Sequence, residues 1–378
     1  MLRLVLLLPL LLPGCNLVLP LGPGPDGRDG RPVLDGLIRP DRRPADAAAD
    51  EQPSDAEPQP VMVLTLAGTG VLGFQNGPVN IARFNHPHDV AVAPDGRVYV
   101  ADWGNHCIRT IDNGQVSTLA GRCQHPGFKD GAAADAQFHN PASVTLDGEG
   151  NLYVADFGNQ RVRRIAIGTG NVTTVAGTGE SGTDDGLVTA ATFDGPDDVA
   201  VDISGSTPVL YVPEYNNNRI RAIQNGKVST LTGQSYGEKD GTLGEALFAR
   251  PHMLILSGQL LYLADFDGSV RLIDLTASKV STLIKKNPGS MSGTAGLALN
   301  PGGTRLYLSV QQSHQIEVLD LTAQPPALSV VAGDGSDDFL DGPAAKARFK
   351  GPEGLFYHQG VLYVADYDNH RIRMVTGL

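Results

Sequence analysis

From Phe84 onward the chain writes one passage again and again, and that repetition limits the fold more than any other feature. The clearest copies are FNHPHDVAVAPDGRVYVADWGNHCIRTIDNGQVSTLAG from Phe84, FHNPASVTLDGEGNLYVADFGNQRVRRIAIGTGNVTTVAG from Phe138 and FDGPDDVAVDISGSTPVLYVPEYNNNRIRAIQNGKVSTLTG from Phe193. A fourth opens at Phe248 and a last at Phe349, so the Phe-to-Phe steps are 54, 55, 55 and 101 residues. The final step is two units long and holds a worn copy, GLALNPGGTRLYLSVQQSHQIEVLDL from Gly296, which brings the count to six. Units of this kind bury their faces only against their neighbours.

Within each copy the runs are short, rich in Val, Ile, Leu, Tyr and Thr, and separated by turn signals such as Pro94-Asp95-Gly96, Asn113-Gly114 and Asn225-Gly226. That pattern predicts four antiparallel strands joined by tight turns, and six such units around an axis make an all-β, six-bladed β-propeller. Gly77, Gly131, Gly186, Gly241 and Gly342 each precede an alanine by five residues and a phenylalanine by seven. The spacing suits a loop that turns at the glycine, where positive φ costs little, and then packs Ala and Phe between blades. The last copy ends without its fourth strand, while Val63-Leu64-Thr65-Leu66-Ala67-Gly68, ahead of the first copy, matches the VSTLAG text of that strand at all but Leu64. An N-terminal strand is therefore expected to complete the C-terminal blade and hide its edge, with residues 61–378 forming the propeller.

The strings Val100-Ala101-Asp102, Gly104-Asn105-His106-Cys107-Ile108-Arg109 and Asp366-Tyr367-Asp368-Asn369-His370-Arg371-Ile372-Arg373 resemble the NHL repeat. The resemblance covers some 320 residues and implies the propeller fold. It implies function only loosely, since the family includes sensors, ligand-binding ectodomains, RNA binders and a few enzymes.

The remaining segments speak to location. Met1–Arg3 and the apolar Leu4–Leu12 read as a signal peptide over residues 1–14, too short to span a hydrocarbon core of ~30 Å. It ends in Leu12-Pro13-Gly14-Cys15, which resembles a bacterial lipobox and makes Cys15 the expected lipid attachment site. Residues 15–60 are dense in proline, aspartate and alanine and poor in aromatic residues, as expected of a disordered tether. A lipid-anchored protein of the bacterial cell envelope follows, at the outer membrane or the periplasmic or surface side, with Asn16 after the cysteine favouring the outer membrane. The formal net charge of −12 argues against a nucleic-acid partner. The expected partner is a protein, peptide or glycan, the membrane is reached through the lipid anchor only, and the protein is expected to act as a monomer.

Three sets of residues are candidates for chemistry. Asp102, Asp156, Asp265, Asp366 and Glu214 recur at the end of the second strand, and such repetition favours a structural role with turn amides and the third-strand arginines. Cys107 and Cys123 fall close together once the hairpin at Asn113-Gly114 is folded, so a disulfide is expected there, two buried free thiols being the alternative. At the start of the innermost strand, the ring reads His88, Ala142, Asp197, His252, Ala295 and Glu353. His88, Asp197, His252 and Glu353 are the expected ligand-binding residues of the channel mouth, with solvated rim residues as the plain alternative. His88 and His252 are the candidate metal ligands, with zinc or calcium as the ion. The two histidines lie in opposite blades, a separation expected to weigh against their sharing one ion. Asp197, Glu353 and Asn217 resemble the acidic and amide ligands of calcium-dependent lactonase propellers. No G-x-S-x-G, H-E-x-x-H or P-loop string is present. A non-catalytic binding module is the preferred reading, and a metal-dependent lyase or hydrolase in the channel is the alternative.

Overall fold

Short β-branched and aromatic runs, each closed by residues that accept positive φ, set the units of the structure. In the computed structural model of the chain, which describes residues 60–285 and 293–378, every copy is a four-stranded antiparallel sheet. Blade one has its innermost strand at Pro87–Val92, followed outward by Val98–Asp102, Cys107–Asp112 and Gln115–Ala120. Its outer hairpin turns through Asn113 (φ 47°) and Gly114 (φ 73°), the two positive angles that match the twist of the flanking strands. Six such blades make the propeller. The signal peptide, Cys15 and the tether up to residue 59 lie outside the described residues.

The apolar faces meet between blades rather than within them. Ala91, Tyr99 and Ile108 of blade one pack against Phe138, Val144 and Leu152 of blade two, and a comparable cluster fills each of the other five junctions. The ring closes through Met62–Ala67, which lies between Arg371–Thr376 and the short strand Gly342–Pro343; Val63 faces Val375 on one side and Gly342 on the other.

The glycine loops form the outermost edge. Gly77, Gly186, Gly241 and Gly342 open two-residue strands on the outer strand of their blade, and Gly131 bridges to Val172 in the same way. Their φ values of 126° to 155° belong to a region that only glycine enters readily. The phenylalanine that follows is fully buried in five blades. It sits so close to the preceding blade that a Cβ on Gly121 would lie 3.0 Å from the Phe138 ring and 3.2 Å from the Cys107 backbone.

A buried ion pair fixes each loop to its blade. Arg109, Arg163, Arg221, Arg271 and Arg373 are completely buried and donate to the second-strand acids Asp102, Asp156, Glu214, Asp265 and Asp366 at 2.6–3.0 Å. Each arginine also donates to a loop carbonyl and to the Asn or Asp before the loop glycine, as Arg163 does to Lys129 and Asp130. The acid in turn accepts from a turn amide, Asn85 N–H for Asp102, and from the Asn105 side chain at 2.8 Å. Charge-assisted bonds of this kind satisfy nearly every lone pair that burial strands. Blade five carries Val310 and Glu317 where the others have acid and arginine, so both halves of the pair are exchanged together.

The next motif residue ties neighbours together. His106, Gln160, Asn218, His314 and His370 accept from a backbone amide of the following blade (Asn140, Gly195, Arg250, Gly351 and His86) at 2.7–3.3 Å. Four of the five sit at φ 53–58° and the fifth, His370, at 52°, the left-handed conformation that ends each short turn. Cys107 and Cys123 form a disulfide with their Cα atoms 5.0 Å apart, pinning the third strand of blade one to the turn after its outer strand.

Candidate functional site

The residue after each blade proline opens the innermost strand, and there the blades converge on the axis. His88, Asp197, His252 and Glu353 come together, and all four are buried, with exposures of 2–7%. They are not solvated rim residues. The expected separation of the opposite histidines is also corrected: the His88 and His252 rings stand 5.5 Å apart, because both side chains reach inward across a narrow axis. Donor atoms of His88, His252 and Glu353 all lie within 4.8 Å of one another.

The alanines of the ring have a part in this arrangement. The His88 Nδ1–H donates to the Ala142 carbonyl at 2.9 Å, and the His252 Nδ1–H to the Ala295 carbonyl at 3.0 Å. A carbonyl only accepts, so the proton is on Nδ1 and the Nε2 lone pair is free. His252 Nε2 lies 3.3 Å from Asp197 Oδ2 and 4.0 Å from Glu353 Oε2. The Gln311 amide donates to Glu353 Oε1 at 2.6 Å, while the buried Oε2 has no hydrogen-bond partner.

Burial governs the charge state here. It lowers the His88 pKa to about 3, aided by the adjacent His252 and opposed by the Ala142 carbonyl, and lowers that of His252 to about 4. The same burial raises the Asp197 and Glu353 carboxyls well above their ordinary range, with neighbouring acids adding to the effect. Burial therefore favours the uncharged form of all four groups, with a free Nε2 lone pair on each imidazole and no Lys or Arg lining the cavity beside them.

Above this floor stands a collar that the ring reading of the sequence missed. Trp103, Phe157, Tyr215, Phe266, Gln311 and Tyr367 each follow the last residue of a second strand, one per blade, and all are half-buried. Trp103 stacks on His88 at 4.9 Å, and Phe266 lies 5.5 Å from His252. All collar residues but Tyr367 line, together with the floor residues, a cavity of about 170 Å³. The signal was available, since the position directly after the strand-ending acid is aromatic in five of the six copies.

Both rings repeat after three blades. The floor reads His-Ala-acid twice, and the collar pairs Trp103 with Phe266, Phe157 with Gln311, and Tyr215 with Tyr367. The mouth thus has an approximate two-fold relation on a six-bladed body.

Two further acids were also missed. Asp89 and Asp198 lie one residue deeper, buried, and accept from the Val144 and Leu254 amides at 3.0 and 2.8 Å. Burial and mutual repulsion push the Asp89 carboxyl well up. They border a cavity of about 380 Å³ whose walls carry Val90, Val144, Val199, Leu254, Leu297 and Leu355, one from each blade. Asn217 is not in the channel: its amide donates to Gly182 and Glu214, making it the counterpart of Asn105.

The family model for the NHL repeat matches residues 84–111 and 138–165. Human NHL repeat-containing protein 2 is 27% identical over 327 residues, covering 74% of this chain and 44% of that protein, so the chain spans less than half the length of this relative. Among solved structures, a protein of unknown function from Bacteroides thetaiotaomicron superposes with a TM-score of 0.63 at 18% identity, covering 84% of this chain and 76% of that one. A protein described as an auxiliary nutrient binding protein from Bacteroides ovatus gives 0.61 at 16% identity, with coverages of 84% and 76%. At such identities the likeness concerns the fold. With the NHL repeat matched in two blades and its buried acid–arginine pair built into five, the chain is a six-bladed β-propeller that carries NHL repeats.

Proposed function

We propose that the protein is a binding module that takes a peptide or glycan at the channel mouth, carried on the cell envelope by a lipid on Cys15. The observation that carries this reading is the half-buried aromatic collar over a buried polar floor. Aromatic faces held by a rigid scaffold offer apolar contact at little entropic cost, and polar groups beneath them fix orientation. The cavity of about 170 Å³ is smaller than the sites of drug-sized ligands, so one projecting unit of a longer ligand enters while the rest lies on the rim.

Glycan and peptide arrays would identify the ligand, and titration would then test the site. Trp103→Ala is expected to weaken binding at least about tenfold, equivalent to about 1.4 kcal/mol, with the fold unchanged by circular dichroism. Unaltered affinity in Trp103→Ala and Tyr215→Ala alike would remove the mouth as the binding site.

The anchor has its own test. Metabolic labelling with a fatty-acid analogue is expected to mark the wild-type chain and to fail with Cys15→Ser, which should also leave the membrane fraction. Equal labelling of both would sink the lipid assignment.

A further inference from the structure

We infer that the channel mouth holds one divalent transition-metal ion, bound by His88 Nε2, His252 Nε2 and a Glu353 carboxylate oxygen, with Asp197 as the fourth ligand. This rests on the reading of the mouth as the binding site and names what its floor contains. Ligand atoms of His88, His252 and Glu353, from blades one, four and six, lie within 4.8 Å of one another, and Asp197 Oδ2 stands 3.3 Å from His252 Nε2. Such a set is complete only with a cation or with added protons. Glu353 Oε2 is buried and has no hydrogen-bond partner.

The imidazoles are also prepared in the manner of metal ligands. Each gives its Nδ1–H to a backbone carbonyl, which fixes the tautomer and aims Nε2 inward. Trp103 stacks on one ring and Phe266 packs beside the other, holding both planes. Ligands about 2 Å from a shared tetrahedral ion stand about 3.3 Å apart, so donors now within 4.8 Å close by up to about 1.5 Å on binding. Two imidazoles with carboxylates select zinc and its first-row neighbours; calcium prefers an all-oxygen shell.

The full-length protein, stripped with a chelator and dialysed, would be titrated with Zn²⁺ by calorimetry and with Co²⁺ by visible absorption. Expected are one equivalent bound and a four-coordinate Co²⁺ spectrum. His88→Ala/His252→Ala should weaken Zn²⁺ binding by more than about 100-fold, beyond the loss caused by an outer-sphere change. Glu353→Gln, which keeps the side-chain shape, guards against a misfolded double variant and should weaken it at least tenfold. Removing the half-exposed histidines His106 and His139 should leave binding intact. Absence of saturable one-equivalent uptake by the folded apoprotein overturns the proposal, as does uptake insensitive to both His88→Ala/His252→Ala and Glu353→Gln. Ligand capture that persists in chelator, with no metal bound, leaves the mouth reading standing and removes only the ion.

Discussion

Deletion of Met62–Ala67 is expected to abolish cooperative unfolding of the propeller. This strand is an interior member of blade six, flanked by Arg371–Thr376 and by Gly342–Pro343. Its loss strips two ladders at once, exposes an unpaired edge and uncovers Val63 and Ala67, which are 0% and 1% exposed. It also removes the Thr65 amide that donates to Asp341, the residue that holds Arg373. Burial of one valine contributes about 1.5–3 kcal/mol, and the ladder bonds about 0.5–1.5 kcal/mol each. Against a total of roughly 5–15 kcal/mol the loss is large enough to open the ring. Thermal denaturation followed by circular dichroism reads the outcome, and a sharp transition at the wild-type midpoint would show that the ring does not need this clasp.

Breaking one buried ion pair should cost more than removing both of its members. Arg163 and Asp156 are completely buried with 2.6 Å between their charged atoms. Arg163→Met leaves the Asp156 carboxylate with only the His139 amide and the Asn159 side chain, and the expected loss is about 3–5 kcal/mol. Asp156→Leu/Arg163→Met leaves no stranded charge and should lose less than the single change. Some loss persists, because Arg163 also holds Asp130 and the carbonyls of Lys129 and Gln137. Urea titration of the two single variants and the double one forms the cycle, and strict additivity would refute the coupling. Blade five, with Val310 and Glu317 at these positions, already folds without this pair.

The parts of the molecule legible in the sequence are those that repeat locally. Glycines at fixed distances from Ala and Phe mark the loops because few residues adopt their backbone angles. The VLTLAG string ahead of the first copy marks the closing strand because strand pairing ignores chain order. Burial of the mouth was not legible: His88 and Glu353 are polar residues at a strand start, and only the collar above makes them interior. The collar itself was hidden by being read blade by blade, where Phe157 or Tyr215 after an acid is unremarked; aligned around the axis, the six form one surface. Convergence of His88 and His252 depends on the radius of the channel, which no spacing along the chain contains. Asp89 and Asp198 escaped for a related reason, since each adjoins a residue already singled out and takes its meaning from the opposite wall.

The half-turn relation of the mouth bears on how a ligand chooses its pose. An asymmetric ligand meets nearly the same histidine, carbonyl and carboxylate after rotation by two quadrants, so the floor alone leaves two orientations close in energy. Only the places where the halves differ separate them: Trp103 against Phe266, Asp197 against the longer Glu353, and above all Phe157 against Gln311, an apolar face against an amide. For the proposed binding mouth, affinity and directional fidelity would then fall to different residues, and exchange of Gln311 for an aromatic residue is expected to make the mouth more nearly degenerate without emptying it.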